Sequence, residues 1–172
     1  MLIHDYNYRW PADFAAIAAV LTDALGPTAL RVEHVGSTAV PGLAAKAIID
    51  IDVVYPVDGD LAEIVDRLAG LGYHHNGDQG IPRREVFKRD PDADRHAVLD
   101  AITHHLYACP ADSPELARHL AFRDALRADA AARSEYGRLK RAIAADAEED
   151  KSRYAALKEV AATAFVERIL SR

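Results

Sequence analysis

Two aspartates, Asp50 and Asp52, stand one residue apart in the run Ile48-Ile49-Asp50-Ile51-Asp52-Val53-Val54. Side chains alternate along a strand, so both carboxylates face one way while Ile49, Ile51 and Val53 face the other. Two carboxylates side by side repel one another unless a cation lies between them. Mg²⁺ suits such a pair, because it takes one or two carboxylates and completes its shell with water and phosphate oxygens. The plainer alternative is two solvated aspartates at a strand end. Aspartate is disfavoured inside strands, and this pair is embedded among Ile and Val, which favours a candidate site.

Upstream lies His34-Val35-Gly36-Ser37-Thr38-Ala39-Val40-Pro41-Gly42. Gly36 permits close approach of the backbone to a ligand, and successive amides there form a possible anion nest. Ser37 and Thr38 add hydroxyl donors. A simple strand-to-helix turn is the competing reading. His34 ends a strand beside this loop and could face a phosphate or bond a nearby backbone group. Lys46 precedes the acidic strand and could also meet a phosphate. Arg84 and Lys88 lie four apart, on one face of any strand there, and would make a cationic wall for a triphosphate. Arg123 and Lys140 either fold back onto the site or pair with Asp124 and Glu135; for Lys140 the structural pairing is the favoured expectation.

These residues need elements to position them. Pro11 opens a helix carrying Phe14, Ile17, Leu21 and Leu25 at helical spacing, which Gly26-Pro27 stops. Ala29–His34 reads as a short strand, with Leu30 and Val32 alternating against Arg31 and Glu33. Val35–Lys46 reads as a loop, and Ala47–Tyr55 as the strongest strand. Leu61, Ile64, Val65 and Leu68 mark an amphipathic helix ending near Gly70 and Gly72. Arg83–Lys88 is expected to be a strand, and Ala97–Cys109 another. From Ser113, an N-cap followed by Pro114, the character turns helical: one helix through Leu126, then Ala130–Asp146 and Asp150–Leu170. The expected class is α+β: a mixed sheet with flanking helices and a helical C-terminal part. The division would be a core over 1–110 and a helical extension over 111–172.

Composition sets the outer bounds. The chain has 172 residues, half of them hydrophobic and 28% charged, an ordinary balance for a domain with a real core. Its net charge of −6 gives no global case for nucleic acid. A single cysteine, Cys109, excludes an internal disulfide. No apolar run approaches the ~18 residues needed to span a membrane, and Met1–Trp10 lacks the pattern of a signal peptide. The expectation is a cytoplasmic protein.

The order hydrophobic-Gly36-Ser37, then Thr38 to Ile49, then Asp50-Ile51-Asp52 resembles the signature of polymerase-beta-type nucleotidyltransferases. More closely, the stretch from His34 to Ile51 resembles the hallmark of the GrpB (UPF0157) family. Thr103-His104-His105-Leu106-Tyr107, Phe122-Arg123-Asp124-Ala125-Leu126-Arg127, Tyr136-Gly137-Arg138-Leu139-Lys140 and Tyr154-Ala155-Ala156-Leu157-Lys158 agree with it. Ala47 stands where the family commonly has proline. The resemblance implies a nucleotidyltransferase-type sheet, a nucleoside triphosphate or phosphorylated small molecule as ligand, and a divalent metal, Mg²⁺ or Mn²⁺, on Asp50 and Asp52. Some members of the family are fused to dephospho-coenzyme A kinase, a nucleotide-linked setting. The superfamily also implies a third carboxylate on a neighbouring strand. Glu85 and Asp100 are weak candidates, and His105 stands near where that acid is expected, as a third catalytic residue beside Asp50 and Asp52. A binding module that holds the ligand without turning it over is the alternative.

Overall fold

The computed structural model describes residues 2–148 and 150–171. Helix α1 (Trp10–Leu25) starts with Pro11 in its first turn and buries Ile17, Leu21 and Leu25 completely. Strands β1 (Arg31–Val35) and β2 (Ile49–Tyr55) follow, joined by the glycine loop with a single 3-10 turn at Ser37–Ala39. Helix α2 (Leu61–Ala69) is capped by Asp60, whose side chain accepts from the Ala62 amide. Strands β3 (Tyr73–His75), β4 (Glu85–Arg89) and β5 (His104–Pro110) complete the sheet. Three helices follow: α3 (Pro114–Ala128), α4 (Ala130–Asp146) and α5 (Lys151–Leu170).

The strands lie in the order β1-β2-β5-β4-β3. β2 and β5 are parallel, and the other pairs are antiparallel. The class is α+β with a mixed sheet, as the sequence led us to expect. Among the described residues, no helix is long and apolar enough to cross a membrane.

Register explains what the sheet does. Asp50 pairs with Val35 on one side and His105 on the other; Asp52 pairs with Glu33 and Tyr107. These six side chains therefore share one face. Ile49, Ile51, Val53, Leu106, Ala108 and Phe87 share the other and form one core with α1 and α2. Fully burying a side chain of this size contributes about 1.5–3 kcal/mol. The carboxylate face is covered differently. Val54 and Cys109 pack on Leu116 of α3, while Val40 and Leu43 of the glycine loop pack on α3, α4 and α5. The three C-terminal helices are thus seated on the loop and on the acidic face.

One element differs from its expectation. Ala97–Cys109 is not a single strand: β5 begins at His104, and the residues before it form turns. The cause is local. His96 Nδ1 accepts from the amides of Val98 (3.2 Å) and Leu99 (3.3 Å), and the Asp100 carboxylate accepts from the His96 amide (2.6 Å). Side chains that capture nearby amides compete with the sheet ladder, and here they win.

Candidate active site

Asp52 is fully buried on the covered face of β2. Its Oδ2 lies 2.8 Å from His119 Nδ1, while its Oδ1 is buried with no hydrogen-bond partner. His119 also directs Nε2 at Glu115 Oε1, 3.2 Å away, one helical turn earlier on α3. Both ring nitrogens face carboxylates, so both are assigned as donors and the ring is an imidazolium. Burial alone lowers the His119 pKa, but the hydrogen bonds to Asp52 and Glu115 outweigh it and raise the group to about 9. The same contact from His119 holds the Glu115 carboxyl below its usual range.

Asp50 lies at the open end of the pair. Its Oδ1 accepts from His105 Nδ1 at 2.9 Å. Gly36 crosses directly above it: a Cβ there would stand 2.3 Å from Asp50 Oδ2, and the residue adopts φ +71°. The glycine is therefore required twice, by its left-handed backbone and by the approach of loop to carboxylate.

Next in the loop, Ser37 Oγ accepts a hydrogen bond from Lys140 Nζ at 2.8 Å. Lys140 is 2% exposed and lies over the Tyr136 ring. Burial, helped by Lys158 and Arg141 and opposed by Asp50, lowers its pKa well below that of an ordinary lysine. Thr38 works inward: its hydroxyl donates to Ile48 O (3.3 Å) and meets His34 Nε2 (3.0 Å).

A cavity of about 610 Å³ opens between this face and helices α3 to α5. It gathers Gly36, Ser37, Thr38, Lys46, Asp50, Arg84, His105 and Arg123 from the residues singled out in the sequence. Asp52 lies beneath it, behind His119. Lys46 sits 4.0 Å above the Tyr154 ring, and Arg84 4.7 Å above the Tyr107 ring. Arg123 bonds Glu33 (2.8 Å), the His34 carbonyl (3.1 Å) and Asp124 (2.8 Å), tying α3 to β1 at the cavity wall.

Two expected phosphate ligands are elsewhere. His34 belongs to the opposite face, stacked on Phe14 at 4.6 Å, because alternation places it with Val32 rather than with Val35. Its burial depresses its pKa to about 4, so it is neutral. Lys88 is exposed on β4, outside the cavity. The weak candidates for a third acid are also occupied: Glu85 bonds His75, and Asp100 bonds Arg89. The additional carboxylate in the cavity is Glu115. His119 and Glu115 were not apparent from sequence, and Lys140, expected to pair structurally, reaches the loop instead. The signal for the first two was a histidine four residues after a glutamate in the first turns of a Ser113-capped helix.

The pair has hard oxygens suited to Mg²⁺ or Mn²⁺. Asp52 Oδ1, buried and unpartnered, is the oxygen that most needs a cation. One oxygen of each carboxylate is taken by a histidine, and among the described residues no three metal-ligating side chains are gathered. The set fits a cation held by two protein oxygens, with the remaining shell left to water and ligand.

The sequence matches the GrpB protein family over residues 1–172. The chain belongs to the GrpB family. It is 38% identical over 144 residues to a UPF0157 protein of Halalkalibacterium halodurans, covering 81% of this chain and 67% of that one. It is 34% identical over 173 residues to a dephospho-CoA kinase of Mycolicibacterium paratuberculosis, covering 88% of this chain but 41% of that one. The chain thus spans only part of each of these relatives. The crystal structure of GrpB from Enterococcus faecalis superposes with a TM-score of 0.80 at 29% identity, covering 98% of this chain and 97% of that one.

Proposed function

We propose that this GrpB-family protein binds the triphosphate of a nucleoside triphosphate on the Gly36-Ser37 loop and carries out metal-dependent nucleotidyl transfer. The observation that carries the reading is the Lys140 amine. It is buried, and its hydrogen-bond partner is the neutral Ser37 hydroxyl, beside the Asp50/Asp52 pair. Burial disfavours the charged form of this amine, and a phosphate on the loop would restore it and gain a charge-assisted hydrogen bond. The resemblance of the Gly-Ser and Asp-Ile-Asp spacing to nucleotidyltransferases supports the same reading, as does the relative named as a dephospho-CoA kinase.

In this account Lys140, Ser37 and Lys46 hold the phosphates, and Arg123 fixes the wall behind them. Asp50 and Asp52 would hold a divalent ion, which would neutralise charge on the phosphates. His105, donating Nδ1–H to Asp50, leaves Nε2 to accept the proton of an acceptor hydroxyl. The acceptor oxygen bonds to the α-phosphorus as the bond to the β-phosphate bridging oxygen breaks, releasing pyrophosphate. His119 positions Asp52.

A second reading is a module that binds a nucleotide or phosphometabolite without turnover. It is favoured by one feature: His105 stands on β5 where a third carboxylate is expected, and Glu115 is committed to His119. Calorimetric titration with ATP tests the shared part. Binding is expected with MgCl₂ present and is expected to vanish in the Asp50→Asn, Asp52→Asn double variant. Unchanged binding in that variant overturns the metal-dependent transfer reading; intact ATP after incubation with a broad set of acceptors selects the second.

A further inference from the structure

A second hollow, of about 620 Å³, adjoins the first and shares Arg84, His105 and Tyr107 with it. It exists because of strand register. β4 and β5 pair only from Glu85↔Ala108 to Phe87↔Leu106, although β4 runs on to Arg89 and β5 starts at His104. Past Phe87 the side chains turn to other partners. Arg89 bonds Asp100 at 2.6 Å and the Leu71 carbonyl, while His104 bonds Tyr73 at 2.5 Å and the Ile102 carbonyl at 2.6 Å. The hollow lies between these diverging ends, with the Asp50–His105 pair at the point where it meets the main cavity.

Two of the cations lining it, Arg84 and Lys88, stand apart from the Arg89–Asp100 pair. Among the described residues, Arg84 has no hydrogen bond or ion pair, and its Nε is buried without a partner. Lys88, on the same face of β4 by alternation, likewise has no carboxylate. The other arginines of the neighbourhood differ: Arg118 meets Glu115, and Arg123 meets Glu33 and Asp124. A guanidinium held 4.7 Å over a tyrosine ring, with no protein partner on its nitrogens, is positioned for a contact with an oxyanion.

We propose that this hollow is the acceptor subsite, and that it selects a small hydroxyl compound carrying a phosphate group, held by Arg84 with Lys88. The proposal rests on the nucleotidyl-transfer reading for the word acceptor, but the phosphate site stands on Arg84 itself. The geometry suits the role: Arg84 and His105 line both hollows, while Ser37 and Lys140 line only the first, so a ligand held by Arg84 in the second hollow lies beside His105. The triphosphate is then held by Ser37, Lys46 and Lys140 of the first hollow, and the acceptor by Arg84 and Lys88 of the second.

Glycerol 3-phosphate and glycerol are the probes, titrated at millimolar concentration into the ¹⁵N-labelled full chain, with and without ATP and MgCl₂. Glycerol 3-phosphate is expected to shift the amides of Arg84, Lys88, His104 and His105 in the ATP-loaded protein, and glycerol is not. Arg84→Met is expected to weaken glycerol 3-phosphate at least tenfold and Lys88→Met several-fold. Arg83→Met, which removes a neighbouring cation paired with Asp112, should leave it within twofold. The spectra themselves report whether each variant is folded. Equal response to both probes, insensitivity to Arg84→Met, or displacement of glycerol 3-phosphate by ATP overturns the proposal. Failure of ATP to bind, with the Arg84-dependent phosphate response intact, counts against the nucleotidyl-transfer reading and leaves the phosphate site standing.

Discussion

Replacing His119 by alanine separates the electrostatics of this site from its packing. In the folded protein the His119 pKa is about 9, against 6.5 for an unperturbed histidine. The folded state therefore holds the proton more tightly than the unfolded chain does. The stabilisation is fully present below pH 6.5 and is lost as pH rises through about 9. A difference of this size corresponds to about 3 kcal/mol at most. His119→Ala also leaves Asp52, fully buried, with neither oxygen partnered. Removing one partner of a buried ion pair costs about 3–5 kcal/mol. Urea unfolding is the assay, run on wild type and His119→Ala from pH 6 to pH 10. The gap between the two should be about 3 kcal/mol at pH 6 and should narrow steadily from about pH 6.5 to about pH 9, where the unfolded chain has given up the proton that the folded protein still holds. A gap that stays constant across that range would falsify the imidazolium bridge between Asp52 and Glu115.

Other outcomes follow from the same geometry. Gly36→Ala forces a methyl onto Asp50 and strains a left-handed residue; thermal denaturation should show a loss of about 1–3 kcal/mol, with ATP binding abolished. His34→Ala removes the stack on Phe14 and the bond to Thr38, and should cost about 2 kcal/mol in denaturant unfolding. If its ATP affinity also falls more than a few-fold once stability is matched, His34 does more than brace the loop. Lys140→Met should weaken ATP at least tenfold by calorimetry while leaving the melting temperature unchanged or higher, because it replaces a buried amine by an apolar chain of similar length. A variant that melts early and binds ATP normally would make Lys140 structural.

The elements legible in the sequence were those set by local rules. The Ile/Val run gave β2, and strict alternation put Asp50 and Asp52 together on one face. Ser113 and Pro114 marked the start of α3 in the same way. Alternation also held the answer for His34, since Val32 and His34 share a face and Val32 faces the core; proximity to Gly36 in sequence was the misleading cue. The misread part of 97–109 depended on which side chain captures which amide, and His96 and Asp100 reveal that only in three dimensions. His119 was out of reach for a different reason. Its partner Asp52 is 67 residues away, and the contact exists only because Leu116 of α3 packs on Val54 and Cys109 of the sheet. Lys140 reaches Ser37 by the same kind of tertiary placement, through the packing of α4 on Val40 and Leu43.

The central claim is that the Gly36-Ser37 loop, Lys140 and the Asp50/Asp52 pair form one site for a metal-bound triphosphate. A crystal structure grown with a non-hydrolysable ATP analogue and MgCl₂ tests it most directly. The account predicts phosphate oxygens on Ser37 Oγ and Lys140 Nζ, with the ion held by Asp50 and Asp52. A triphosphate seated away from this loop, or an ion that avoids both aspartates, contradicts it.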